Sequence, residues 1–135
     1  MTATRPATPL AGFFRAATTK LMGKDCEVKQ LTRRFVAAFN AKDAAGCADL
    51  MIDHFVFEHP VVKRVVGKAK ATRFIQSIFN SCRNLSFVES KIFAEGNITI
   101  VEFVLTLDNR VFTGVDIIEW KNGKMRAIRR SYRDV

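Results

Sequence analysis

The sequence predicts an α+β domain, with helices of the first half packed on one face of a curved antiparallel sheet made by the second half. Two observations carry this expectation. Up to Cys82, apolar residues recur at intervals of three and four, the period of a helix with one buried face. Beyond Cys82 that period stops, and four β-rich runs follow, divided by separators rich in turn residues. The chain has 135 residues, of which 48% are hydrophobic. One domain of that size buries roughly two thirds of its unfolded surface and needs no disulfide staples.

Taken in order, residues 1–24 carry Arg5, Arg15, Lys20 and Lys24 and no acidic residue. After Pro9, the residues Leu10, Phe13, Phe14, Ala17 and Leu21 fall at helical spacing. This predicts a short basic amphipathic extension, set apart from a domain at 25–135. Such a segment suits an organellar transit peptide, or a helix packed on the domain or on a partner copy. The first helix of the domain is marked by a stripe of Val28, Leu31, Phe35, Ala38 and Phe39, ending near Asn40 and Lys42. Asp43 is a good N-cap for a second short helix through Met51. In His54–Pro60, the residues Phe55, Phe57 and His59 alternate with His54, Val56 and Glu58, so a short strand ends at Pro60. Gly67 opens a third helix with Ala71, Phe74, Ile75, Ile78 and Phe79 inward. The β-rich runs are Leu85–Ala94, Ile98–Leu107, Val111–Trp120 and Met125–Tyr132. Asn122-Gly123 is the strongest turn between them, because both residues accept the positive φ of a type I′ turn.

Composition excludes several classes. No uncharged apolar run approaches the roughly 18 residues that suggest a membrane span. Cys26, Cys47 and Cys82 form no C-x-x-C pair and no Cys/His cluster, so neither a disulfide framework nor a metal site is expected. They read as reduced, core-type thiols, which predicts the cytoplasm, or an organelle reached through the basic N-terminal segment. No glycine-rich phosphate loop is present, and no cofactor is expected. The 22 basic and 13 acidic residues give a net charge of +9. The excess lies in three places: residues 1–24, the stretch from Lys63 to Arg73, and residues 121–135. No aromatic-basic interleaving accompanies it, which argues against a nucleic-acid partner. Lys63, Arg64, Lys68, Lys70 and Arg73 follow the His59 strand, either as a solvated basic loop or as a rim that attracts an anionic ligand.

The order of elements and three local strings carry a resemblance. Phe35-Val-Ala-Ala-Phe-Asn-Ala-Lys-Asp43, the strand ending Phe57-Glu-His-Pro60 with Gly67 soon after, and Gly114-Val-Asp-Ile-Ile-Glu-Trp-Lys-Asn-Gly-Lys124 resemble the nuclear transport factor 2-like superfamily. That group includes ketosteroid isomerases, SnoaL-type polyketide cyclases and limonene epoxide hydrolases. The resemblance spans residues 26–134. It implies a cone-shaped sheet around an apolar pocket, usually in a homodimer and without a cofactor. Ketosteroid isomerases place a carboxylate base just before a Pro at the end of the first strand, and His59 stands there. Their protonated Asp, an oxyanion donor, matches Asp116. Their oxyanion-hole Tyr matches Phe35, which cannot donate a hydrogen bond. The Arg-x-Asp pattern of limonene epoxide hydrolases is absent.

The residues have readings of their own. His59 shares a face with Phe55 and Phe57, and it is either a proton carrier in an apolar pocket or a satisfied core histidine. Asp116 lies on the face of Phe112, Ile118 and Trp120, where a carboxylate must be paired, hydrogen-bonded or protonated. With a two-residue turn at Asn122-Gly123, Arg129 falls opposite Asp116, and a cross-strand ion pair becomes the structural alternative. The catalytic reading pairs His59 with Asp116. Phe35, Phe39, Phe57, Phe74 and Trp120 then line the pocket, and Arg129 either quenches Asp116 or binds a substrate anion. The chemistry expected is isomerisation, dehydration or cyclisation of an apolar carbonyl compound. The alternative is a non-catalytic ligand-binding or protein-interaction module of the same fold.

Overall fold

Helix α1 (Pro9–Asn40) is continuous across the expected boundary at residue 24. It belongs to a computed structural model that describes residues 9–135, with side chains from Gly23 onward. Residues 1–8 of the expected extension, and the face presented by 9–22, lie outside the described residues. The predicted stripe is inward: Val28, Phe35 and Phe39 are buried, and Leu31 and Ala38 pack against the core. The helix ends where expected, with Lys42 at φ 54°. Asp43 then caps α2 (Ala44–Ala48) by accepting from Gly46 N at 2.9 Å. That helix is shorter than predicted, because Met51 already begins β1 (Met51–His59). A short strand that the pattern does not predict, β2 (Lys63–Val66), returns antiparallel on β1 before α3 (Lys68–Asn80). The four remaining strands are β3 (Leu85–Glu95), β4 (Ile98–Leu107), β5 (Arg110–Lys121) and β6 (Lys124–Asp134).

The sheet order is β2-β1-β6-β5-β4-β3. The antiparallel expectation needs correction at one place: β1 runs parallel to β6, so the sheet is mixed. The meander from β3 to β6 leaves one edge of β6 open, and β1, arriving from the helices, fills it. The sheet curves over α1 and α3 but does not close, leaving β2 and β3 as its edges. The β3 edge is blunted by Asn40, whose side-chain amide donates to Phe87 O at 2.8 Å and accepts from Phe87 N at 2.7 Å. An amide at the end of α1 thus satisfies the groups that a further strand would otherwise take.

Between α1, β4 and β5, buried polar atoms form one chain. Thr32 Oγ1 donates to Val28 O at 2.7 Å, so in its 2.9 Å contact with Thr99 it must accept. Thr99 in turn accepts from Trp120 Nε1 at 3.0 Å. Every donor in this chain has an acceptor, which allows Thr32 and Thr99 to be fully buried. Among the described residues, no helix is long and apolar enough to cross a membrane.

Gly114 on β5 sits where its neighbours leave no room for a side chain. It faces Phe103 on β4 and Tyr132 on β6. A Cβ there would overlap Ser131 O, and it would lie 2.7 Å from Phe103 Cζ and 2.8 Å from Tyr132 Cβ. Two of the obstacles are backbone or a packed ring, which cannot swing away. Gly114→Ala is therefore expected to destabilise the fold by about 1–3 kcal/mol through overpacking. Urea denaturation checks this, and an unchanged midpoint would refute the steric account.

Candidate functional site

The only buried ion pair among the described residues lies on β5 and β6. Arg130 Nε donates to Asp116 Oδ1 and Nη2 donates to Oδ2, each at 2.8 Å, and each side chain is 1% exposed. The guanidinium carbon lies 5.1 Å from the ring centroid of Phe103, 5.4 Å from Phe87, and 5.5 Å from both Phe39 and Phe57. Ring faces carry negative potential, so four phenylalanines solvate a cation that water cannot reach.

The expected partner, Arg129, is corrected by a β-bulge. The hairpin begins as expected, with Lys121 opposite Lys124 and Trp120 opposite Met125. Glu119 then pairs with Ala127, which leaves Arg126 as the extra residue and shifts every later pair by one. Asp116 consequently faces Arg130, and Arg129 turns outward opposite Ile117. The extra residue is held by an ion pair between Arg126 Nη2 and Glu119 Oε1. The physical reason is burial: the bulged register places Ile128 inside where the unbulged one would place Ala127.

His59 ends β1 on the same side of the sheet. Its ring meets Phe74 at 5.0 Å, Tyr132 at 5.3 Å and Phe57 at 5.8 Å, all edge to face. Val61 N donates to His59 Nδ1 at 3.1 Å. With Nδ1 accepting, the neutral ring carries its proton on Nε2, so Nε2–H is what it can offer a guest. Burial first, and the Arg130 charge second, push the imidazole down from 6.5 to about 4, against an opposing pull from Asp116. His59 is therefore a neutral hydrogen-bond donor at physiological pH.

Beside it lies a cavity of about 220 Å³ between α3, the β1–β2 turn and the far ends of β4, β5 and β6. His59, Ser81, Arg110, Arg130 and Tyr132 give its polar wall, with Arg110 paired to Asp134, and Phe74, Ile78 and Leu105 are part of its apolar wall. Of the candidate residues, His59 and Phe74 meet at this cavity. Phe39 and Phe57 lie behind it against Arg130, while Phe35 packs on Phe39 in the interior. Trp120 does not line the cavity and is tied instead to Thr99. The hydrogen bonds of the Asp116 side chain go to Arg130, and none joins it to His59. Larger hollows of about 920, 700, 500 and 310 Å³ also open on the surface, the first between Lys24 and Phe93–Ile100, the second beside Lys63 and Arg129, and the third over Gly114.

Sequence reasoning missed Arg130 and Tyr132. A signal for both existed in the spacing Met125, Ile128, Tyr132. Its odd first interval cannot lie on one face of a regular strand, so burying all three requires a bulge. Of the thiols, Cys47 is core, pushed up to about 12 by burial and then by Asp43, but Cys82 is half-buried and Cys26 exposed. Among the described residues, no three His, Cys, Asp or Glu side chains converge where a metal could sit.

A family model described as a SnoaL-like domain matches residues 32–128. A comparison with curated protein sequences finds no match. Solved structures of the same fold include a nuclear transport factor 2-like protein of unknown function from Burkholderia xenovorans, with a TM-score of 0.73 and 20% identity over 83% of this chain and 87% of that one. A SnoaL-like protein of unknown function from Burkholderia thailandensis gives 0.71 and 15% over 80% and 96%. An LEH-like epoxide hydrolase from M. tuberculosis gives 0.70 and 16% over 81% and 84%. At these identities the likeness is one of fold.

Two outcomes are expected from this geometry. Asp116→Ala leaves a buried guanidinium unpaired and should lower stability by about 3–5 kcal/mol, whereas Asp116→Leu with Arg130→Met should recover much of that loss. A loss below about 1 kcal/mol in chemical denaturation would show that the pair does not organise the core. His59 also links stability to pH. The unfolded ring takes up a proton below 6.5 and the folded ring only near 4, so folding stability present above 6.5 declines as pH falls between those values. His59→Gln should flatten that part of the stability profile, and identical profiles would contradict the shift.

Proposed function

The chain belongs to the SnoaL-like domain family of the nuclear transport factor 2-like superfamily, and on that premise we propose that it binds a small apolar carbonyl compound rather than catalysing proton transfer. The observation that carries this reading is the bidentate bond between Arg130 and Asp116. The carboxylate at the position resembling a catalytic acid is held by Arg130 through both oxygens, is buried, and does not line the cavity, so it serves the guanidinium rather than a guest. His59, at the position resembling the catalytic base, has its acceptor nitrogen occupied by Val61 N–H. The cavity thus offers donors: the Nε2–H of His59 and the hydroxyl of Tyr132. Donors on an apolar wall hold a carbonyl oxygen, and without a base nearby they do not remove the adjacent proton.

Size supports the same reading. A cavity of about 220 Å³ is below the roughly 300–1,000 Å³ of sites for drug-sized ligands. A short-chain or single-ring compound suits it better than a fused polycycle. The homodimer that the resemblance implies belongs to this proposal as well, with Phe93, Ile98 and Ile100 exposed on the sheet as the apolar surface for it.

The test uses 2-octanone as probe. Calorimetry should detect binding, Ile78→Trp should abolish it by filling the cavity, and His59→Phe should weaken it by roughly twofold to tenfold through loss of one hydrogen bond. In deuterated buffer, exchange of the protons beside the carbonyl should run no faster with the protein than without it. Accelerated exchange that disappears in His59→Phe would overturn the binding reading in favour of proton-transfer catalysis.

A further inference from the structure

The apolar cavity carries a charge at its mouth. Alternation along β5 puts Arg110 on the face of Phe112, and Asp134 on β6 is the partner of Phe112. The guanidinium carbon of Arg110 lies 4.9 Å from the centroid of the Phe112 ring, and that ring meets Tyr132 at 5.1 Å. Tyr132 in turn meets His59. All four side chains line the cavity, so a neutral donor stands at one end of this row and a cation at the other. The Arg110 side chain is 66% exposed even though it lines the cavity, which puts it where the cavity opens to water. Val61 and Val62, in the turn between β1 and β2, are likewise both exposed and lining.

The two arginines of the wall are held very differently. Arg130 is buried and bonded to Asp116 through two donors. Arg110 is bonded to Asp134 through one, Nη2 to Oδ2 at 3.1 Å, and both side chains are largely exposed. An exposed single-bond pair is weak, and it leaves most of the guanidinium fork for a second carboxylate. Asp108, in the turn before β5, does not compete, since it accepts from the backbone N–H groups of Arg83 and Asn84. Among the described residues, no acidic side chain lines the cavity itself. A neutral ketone would make no use of this cation. A carboxylate would, and the cost of burying its charge would keep it at the mouth while the rest of the molecule lay inward.

We propose that the guest of this cavity is an aliphatic oxo acid, whose ketone oxygen accepts from His59 Nε2–H and whose carboxylate takes Arg110 at the mouth in competition with Asp134. Its methylene chain then lies along Phe112 and Tyr132, against Phe74, Ile78 and Leu105. This rests on the cavity reading above and adds the charge of the ligand and the residue that selects for it. Asp134 acts as a placeholder: it satisfies Arg110 while the cavity is empty and yields it when a better-held carboxylate arrives.

The matched probes are 2-octanone and 7-oxooctanoate, which is 2-octanone with its terminal methyl exchanged for a carboxylate. Calorimetry near neutral pH and at low ionic strength should find the oxo acid bound about twofold to fivefold more tightly, the worth of one exposed charge contact. In roughly 1 M salt, where the Debye length is about 3 Å, the ratio should fall towards one. Arg110→Gln should bring the ratio to one or below, and Asp134→Asn, which removes the competitor, should raise it by a further twofold or more. His59→Phe should weaken both compounds and leave the ratio where it was, because they share the ketone. Melting temperatures of the variants report that the fold is retained. A ratio of one or less in the unaltered protein, one that survives Arg110→Gln, or one that Asp134→Asn fails to raise would overturn the oxo-acid site while 2-octanone binding left the cavity reading standing. Binding of neither compound would overturn both.

Discussion

Arg130 and Asp116 have almost no water within reach, so each must find in the protein what solvent would have supplied. Asp116 finds it in two charge-assisted bonds, and Arg130 finds it in those bonds plus the faces of four rings. The rings come from α1, β1, β3 and β4, while the pair itself bridges β5 and β6. One ion pair thus draws together most of the elements of the fold. Its geometry draws the ring of Phe39 on α1 against the sheet. A looser arrangement would leave a charge unpaired in an apolar interior, at a cost comparable to a large fraction of a domain's stability.

The same pair sets the chemistry of the cavity beside His59. It holds Asp116 behind the cavity wall, bonded to the guanidinium and out of a guest's reach. By placing a cation near His59, it adds to the burial that keeps the imidazole neutral. What remains is a wall of donors on an apolar floor, which favours holding an oxygen over moving a hydrogen. Function and stability are therefore not separable here. A substitution meant to free Asp116 for catalysis would first have to provide for the guanidinium left behind.

Much of the fold was legible in the sequence because it rests on local rules. The stripe from Val28 to Phe39, the Asp43 cap, Gly67 before α3 and the Asn122-Gly123 turn each follow from periodicity or backbone preference within a few residues. The parts that were not legible depend on long-range choices. Nothing local in Met51–His59 says that β1 will pair in parallel with β6, and β2 is too short and too basic to stand out. At the site, His59 and Asp116 were visible as polar residues on apolar faces. Arg130 and Tyr132 were hidden by an error of one residue, since a strand's alternation inverts whenever a bulge is overlooked.

The tandem Arg129-Arg130 has a consequence for how the chain reaches its native state. A hairpin that closes at Asn122-Gly123 without the extra residue Arg126 still brings an arginine, Arg129, opposite Asp116. Electrostatics alone hardly distinguishes that arrangement from the native one. The discrimination falls to Ile128 and Tyr132, which the shorter ladder would turn towards water while Ala127 and Ser131 faced the phenylalanines. The last two strands therefore possess a decoy partner built from adjacent identical residues. Correct assembly waits for the hydrophobic interior to choose between them.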